Sequence, residues 1–346
     1  MIPNRTNIRL LGHIVMLTCL LGGMSVAGAT PTPTATPQWI LRVPNDFPTI
    51  QQALNHAPAH ALILVNPGTY RENLVWPHVP DIRLAAASVP GSVTIDGGFA
   101  GRVVRFEDVP APGAYLFGLR FTRGRSAAGG AGMRIDRSDV LIQGCAVYDN
   151  IADETAGALI APGIDARDSN VTIIGSTVHD HFAVNSDAAG LVFQGTAARL
   201  NLTGCVFRDN LQIASDGAGA VAVVSGDCEI RNCEFFGNAG IDGAAVHLAA
   251  PGLIESCLVL DSVYSAGGAA VVVEHDEAIV RMCTISGNGC AGVRVSGFGL
   301  IAGSVLTENA IGIESLDGFC ILDHNDVFGN MVDYDGVSQG PDDSSE

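Results

Sequence analysis

Four segments, VLIQGCAVYDN (Val140–Asn150), LNLTGCVFRDN (Leu200–Asn210), CEIRNCEFFGN (Cys228–Asn238) and AIVRMCTISGN (Ala278–Asn288), are copies of one pattern: apolar-x-x-Cys-x-apolar-x-x-Asn. Weaker copies centre on Ser176, Cys257, Ser304 and Asn325. Cys145 to Asn325 spans 180 residues in seven intervals, a period of about 26 residues, which is the size of one unit in a repeat architecture. Three positions before each centre stand Ile142, Ile173, Leu202, Ile230, Ile254, Val280, Ile301 and Leu322. Two after it stand Val147, Val178, Phe207, Phe235, Val259, Ile285, Leu306 and Val327. Alternation holds on either side of the centre and breaks across it. Two short strands joined by a bend explain this, and a helix does not.

A third strand follows in each repeat, marked by glycine and small residues, as in GAGMRID (Gly130–Asp136), AGLVFQ (Ala189–Gln194) and GAAVHL (Gly243–Leu248). Three short strands per unit predict an all-β chain wound as a parallel β-helix. No coil can bury its inner face alone, so stacked neighbours supply the core. The Asn five after the centre belongs at a turn, where its amide bonds backbone. FPTIQQALNHA (Phe47–Ala57) predicts a short amphipathic helix capping the first coil, with Thr49 and Gln52 spaced as a capping box.

Composition bounds what the chain does. Arg5 and Arg9 precede an apolar run from Leu10 to Leu21, and Ala27-Gly28-Ala29 offers a cleavage site, so residues 1–29 read as a secretory signal too short to span a membrane. Residues 30–38 read as a Thr/Pro linker, 39–341 as a single β-helix domain and 342–346 as an acidic tail. The chain carries a formal charge of −18, and all eighteen basic residues are arginine. That charge argues against nucleic acid or an anionic membrane as partner, and the absence of lysine excludes Schiff-base chemistry. The expectation is a secreted, extracellular or periplasmic monomer. The centre column Cys145, Cys205, Cys233, Cys257 and Cys283 is either a disulfide framework or, the favoured reading, a ladder of small buried thiols, because stacked Cβ vectors run parallel.

The run VPNDFPTIQQALNHA…ILVNPGTYRENLVW (Val43–Trp76), the following VTIDGG (Val93–Gly98) and the repeats resemble the pectin-lyase-like right-handed parallel β-helix superfamily, pectin methylesterases included. The catalytic motifs of the methylesterases are missing. The resemblance implies a secreted protein that acts on or binds polysaccharide, as a lyase or hydrolase of acidic glycans, in a groove along the third strands. The alternative is a non-catalytic adhesion, structural or carbohydrate-binding module. Outward residues on those strands are Arg134, Arg167, Gln194, His247, Glu274 and Arg294, candidate substrate contacts. Asp187, Asp216 and Asp242 precede three consecutive third strands and should stack along one edge, as acid/base groups or as ordinary turn residues. A lyase-like reaction would place Ca²⁺ on Asp136, Asp165 and Asp168. His247 stands apart from other His or Cys and reads as a surface histidine. His179 and His181 straddle a turn, with His181 in the ladder position of Asn.

Overall fold

The computed structural model describes residues 37–345 except 153–159, 185, 214–216, 241 and 263–267. The expected signal segment, most of the linker and Asp216 therefore lie outside the described residues. Among the described residues, 38 of the 39 assigned elements are β-strands, and every strand pairing is parallel. The strands form three long sheets. The first has twelve strands, from Trp39–Val43 to Ile321–Asp323. The second has eleven, from Gly68–Tyr70 to Asp326–Phe328, and the third eleven, from Leu74–Val75 to Val332–Asp335.

One coil takes one strand from each sheet, for example Val140–Gln143, Ala146–Tyr148 and Ile164–Arg167. Register runs column by column as the repeat requires, with Ile142 opposite Ile173 and Val147 opposite Val178. Both columns are buried and belong to one continuous core. Three further coils and the strand Trp39–Val43 precede the recognisable repeat. In addition, a four-stranded sheet (Arg125–Ser126, Ile151–Ala152, Phe182–Val184, Leu211–Ile213) widens the turn after the Asn, which the sequence pattern did not indicate.

The broken alternation has a backbone cause. The residue before each centre is left-handed in all eight copies: Gly144, Gly175, Gly204, Asn232, Ser256, Met282, Gly303 and His324, with φ between 53° and 61°. Four residues after the centre the chain is left-handed again, at Asp149, Asp180, Asp209, Gly237, Asp261, Gly287, Glu308 and Gly329. Each left-handed residue turns the strand by a sharp bend that L side chains resist, hence the Gly, Asn and Asp at these places.

Two side-chain ladders run the length of the repeats. In the Asn ladder, the Asn288 and Asn309 backbone N–H groups donate to the Oδ1 atoms of Asn309 and Asn330, at 3.2 and 2.9 Å. Asn309 Nδ2 donates back to Ile285 O at 3.0 Å. The ladder thus supplies the backbone partners that a turn would otherwise lack. In the centre column, Cys145 N–H donates to Ser176 Oγ, and the Cys205, Cys257 and Cys283 thiols face carbonyls of the preceding coil. These cysteines are all free, so the unbonded reading holds for the thiol column. Burial pushes the Cys145 and Cys228 thiols up to about 12, and they are inert.

The ladders end alike. Asn330 N–H donates to Asp333 Oδ1 at 3.2 Å, and Asn325 N–H to Asp343 Oδ1 at 2.7 Å. Asp343 and Ser344, expected in a loose tail, are docked on the last coil, where Ser344 N–H donates to Asn325 O. At the other end the helix Ile50–His56 forms as expected, and Thr49 Oγ1 accepts from Gln52 N–H at 3.2 Å. Glu72, unforeseen, accepts from the Ile50 and Gln51 N–H groups at 2.9 and 2.8 Å. Ile50, Ala53 and Leu54 join the core beside Val43 and Ile63. No helix among the described residues is long and apolar enough to cross a membrane.

Two outcomes are expected. Asn309→Ala strands a buried N–H and a buried carbonyl, which should cost roughly 3 kcal/mol in a urea-unfolding measurement. His181 occupies an Asn position, fully buried, with Nδ1 accepting from Asn150 N–H, and burial lowers its pKa to about 3. The unfolded chain binds that proton near the usual imidazole value and the folded chain does not. Stability should therefore fall as pH drops from about 6.5 toward 3, by about 1.4 kcal/mol per pH unit. His181→Asn should flatten that slope, and an unchanged slope would refute the assignment.

Candidate functional site

The third sheet brings most of the sequence-predicted site residues to its outer face. One column runs Arg105, Arg134, Asp165, Val192, Ala222, His247, Val272, Arg294 and Glu314. The neighbouring column starts Glu107, Asp136, Arg167 and Gln194. Parallel pairing places identical strand positions about 4.8 Å apart, so residues distant in sequence become near neighbours.

At one end of this face lies an open depression of about 350 Å³ lined by Arg102, Arg105, Arg134 and Arg167, with Ala128 and Asp136. Arg134 reaches Asp136 with Nε at 2.7 Å and Asp165 with Nη1 at 2.8 Å. Arg167 Nε donates to Asp165 Oδ1 at 3.0 Å. Asp165 is fully buried. Burial pushes its carboxyl above the usual range, against the downward pull of Arg167 and Arg134. Asp165 is therefore the fixed anion that holds two guanidinium groups in place.

Arg102 differs from its neighbours. Its Nε and Nη2 donate to the carbonyls of Gly129 and Ala128, and no carboxylate lies within ion-pair reach among the described residues. Burial, then Arg134 and Arg105, lower its pKa. Arg105 pairs with Glu107 at the rim. Sequence reading missed Arg102 and Arg105 because RVVRFE (Arg102–Glu107) precedes the recognisable copies. The signal was there in the register, which sets Arg105 beside Arg134.

The three residues expected to hold calcium stand in different surroundings. Asp136 pairs with Arg134, Asp165 pairs with both Arg134 and Arg167, and Asp168 is an exposed turn residue at φ 47°. Of the acids expected to stack, Asp187 and Asp242 are described, and their surroundings differ. Asp242 meets Arg294 Nη1 at 3.3 Å, whereas Asp187 sits half-buried in the field of His247, its carboxyl raised by burial and pulled back by that imidazole. Asp187 Oδ2 and Gln194 Nε2 are buried without a hydrogen-bond partner. Between these charged groups, Val192 and Ala222 are covered by Ala161, Ala188 and Ala218. The middle of the face is thus an apolar saddle, not an open groove. His247 does not stand alone: its Nε2 lies 3.0 Å from Glu274 Oε2. Burial lowers the imidazole, but Glu274, then Asp242 and Asp187, outweigh it and raise the pKa.

Residues 189–341 match the family model described as "Right handed beta helix region". The repeats and the three parallel sheets have the architecture of a parallel β-helix, in keeping with this match over residues 189–341. Comparison with curated proteins finds no match. Among solved structures the chain is similar to pectate lyase Pel9A, at 14% identity and a TM-score of 0.48, covering 91% of this chain and 80% of the lyase. It is also similar to the A-module of mannuronan C-5 epimerase AlgE6 from Azotobacter vinelandii, at 16% identity and a TM-score of 0.39, covering 86% and 92%. A third is a mannuronic acid specific polysaccharide family 6 lyase from human gut microbiota, at 13% and 0.41, covering 87% and 83%.

The role of Asp165 is testable. Asp165→Asn removes the anion between two half-buried guanidinium groups, so the variant should lose about 3 kcal/mol of stability. Calorimetry of the purified protein would check it. An unaltered melting curve would mean that Arg134 and Arg167 need no buried counter-charge.

Proposed function

We propose that the chain is an exported β-helix that binds an acidic polysaccharide on its third sheet, with a sugar carboxylate in the arginine depression. Arg102 carries this reading. It is a half-buried guanidinium with no carboxylate within ion-pair reach among the described residues, set against Arg105 and Arg134, and an anion would relieve their mutual repulsion. A planar carboxylate fits a guanidinium in bidentate fashion, which suits an all-arginine site. The net charge of −18 opposes an acidic polymer at long range. At physiological salt that repulsion is screened beyond about 8 Å, so the local contact decides.

In the same proposal residues 1–29 direct export, residues 30–38 act as a spacer and the helix Ile50–His56 closes the N-terminal end of the core. The chain works as a monomer. The saddle at Val192 and Ala222 favours binding over cleavage.

The test is binding of polygalacturonate and alginate beside a neutral glucan. Arg102→Gln should weaken the acidic polymers about tenfold, in line with losing one hydrogen bond to a charged group, about 1.5–3 kcal/mol. Equal binding of the neutral glucan, or no effect of the substitution, would sink the reading.

A further inference from the structure

Farther along the third sheet, a second group of side chains converges. His247 points outward from the strand Val246–Leu248, Glu274 follows the strand Ala269–Val273, and Asp242 stands in the turn ahead of His247. One carboxylate oxygen from Asp242, one from Glu274 and a ring nitrogen of His247 all lie within 4.8 Å of one another.

Two observations separate this trio from an ordinary ion pair. His247 Nε2 is buried and lies 3.0 Å from Glu274 Oε2, but the ring's N–H is poorly aligned with the carboxylate. The surroundings are also short of positive charge. Glu274, Asp242 and Asp187 all act on the imidazole, and Arg294 lies 3.3 Å from Asp242 and 2.7 Å from Glu314. Asp187 adds a buried carboxylate oxygen with no partner. An off-line imidazole nitrogen beside carboxylate oxygens, in an excess of negative charge, suits a cation lying between them better than a proton on the line joining two of them.

We propose that Asp242, His247 and Glu274 form a binding site for a divalent cation of the zinc class. Imidazole nitrogen with carboxylate oxygen matches Zn²⁺ or Co²⁺, whereas Ca²⁺ and Mg²⁺ take oxygen ligands. Ligand atoms about 2.0–2.2 Å from such an ion stand within roughly 4.4 Å of one another, so small side-chain adjustments close the site. Three protein ligands leave a fourth position, and Glu274, with 44% of its side chain exposed, keeps that position open to solvent. The site does not rest on the polysaccharide reading, because it shares no residue with the arginine depression.

The experiment is titration of the chelator-stripped full chain with Zn²⁺ alone, Co²⁺ alone and Ca²⁺ alone, followed by calorimetry and, for Co²⁺, by visible absorption. One equivalent of Zn²⁺ should bind, and Co²⁺ should give the absorption of a low-symmetry site. His247→Gln and Glu274→Gln should each weaken Zn²⁺ at least about tenfold, while Arg102→Gln leaves it unchanged. Circular dichroism establishes that the variants are folded, and the half-exposed Glu274 position decides if His247→Gln does not fold. Absence of stoichiometric Zn²⁺ binding, binding of Ca²⁺ only, or Zn²⁺ binding that survives both substitutions overturns the proposal. So does binding that is lost instead in His324→Gln, which would move the ion to the exposed Asp323, His324 and Asp342.

Discussion

Every coil of this protein depends on the next one for its backbone hydrogen bonds. At the two bends of each repeat no strand partner is at hand, and side-chain amides, hydroxyls and thiols take over. A buried N–H or C=O without a partner costs about 1–3 kcal/mol, and there are two such bends per coil. The ladders are therefore what allows a sharp corner to be buried at all. The apolar columns could stack on either side of the bend, but only the ladder fixes which coil faces which.

That constraint explains what could be read from the chain itself. The columns at Ile142 and Val147 and their equivalents were legible because each side chain is inside and each must match its neighbours in shape. The left-handed bend was less visible. Gly144 suggests it, but Met282 and His324 hold the same conformation with no sign of it in their identity. His181 replaced the ladder amide with a ring that copies only its acceptor, so the position was legible and its chemistry was not. The Cys column follows the same logic, with thiols acting as small space-fillers that also face a carbonyl.

The outer face was harder to read, for a different reason. Outside the core nothing forces a column to repeat, and each side chain is free to pair with whichever charge lies nearest. Spacing predicted that Arg134, Asp165 and Arg167 would be neighbours, but not that Asp165 would be fully buried between the two arginines. Asp136 was read as a calcium ligand of a lyase-like reaction, and its arginine partner sits two residues away. Asp242, His247 and Glu274 are separated by up to thirty-two residues and meet only through the register of the third sheet. The loops that cover Val192 and Ala222 follow no period, so the saddle had no signature.

Asp333 and Asp343 give the repeat a direction. An asparagine in the ladder accepts from one coil through its oxygen and donates through its amide, so it can be handed on indefinitely. A carboxylate accepts and has nothing to pass forward. These two aspartates behave like a terminating monomer in a polymerisation, ending each series at the chemistry of one atom rather than at a bulky cap. A coil added to or removed from the ladder upstream would leave these two terminating contacts unchanged.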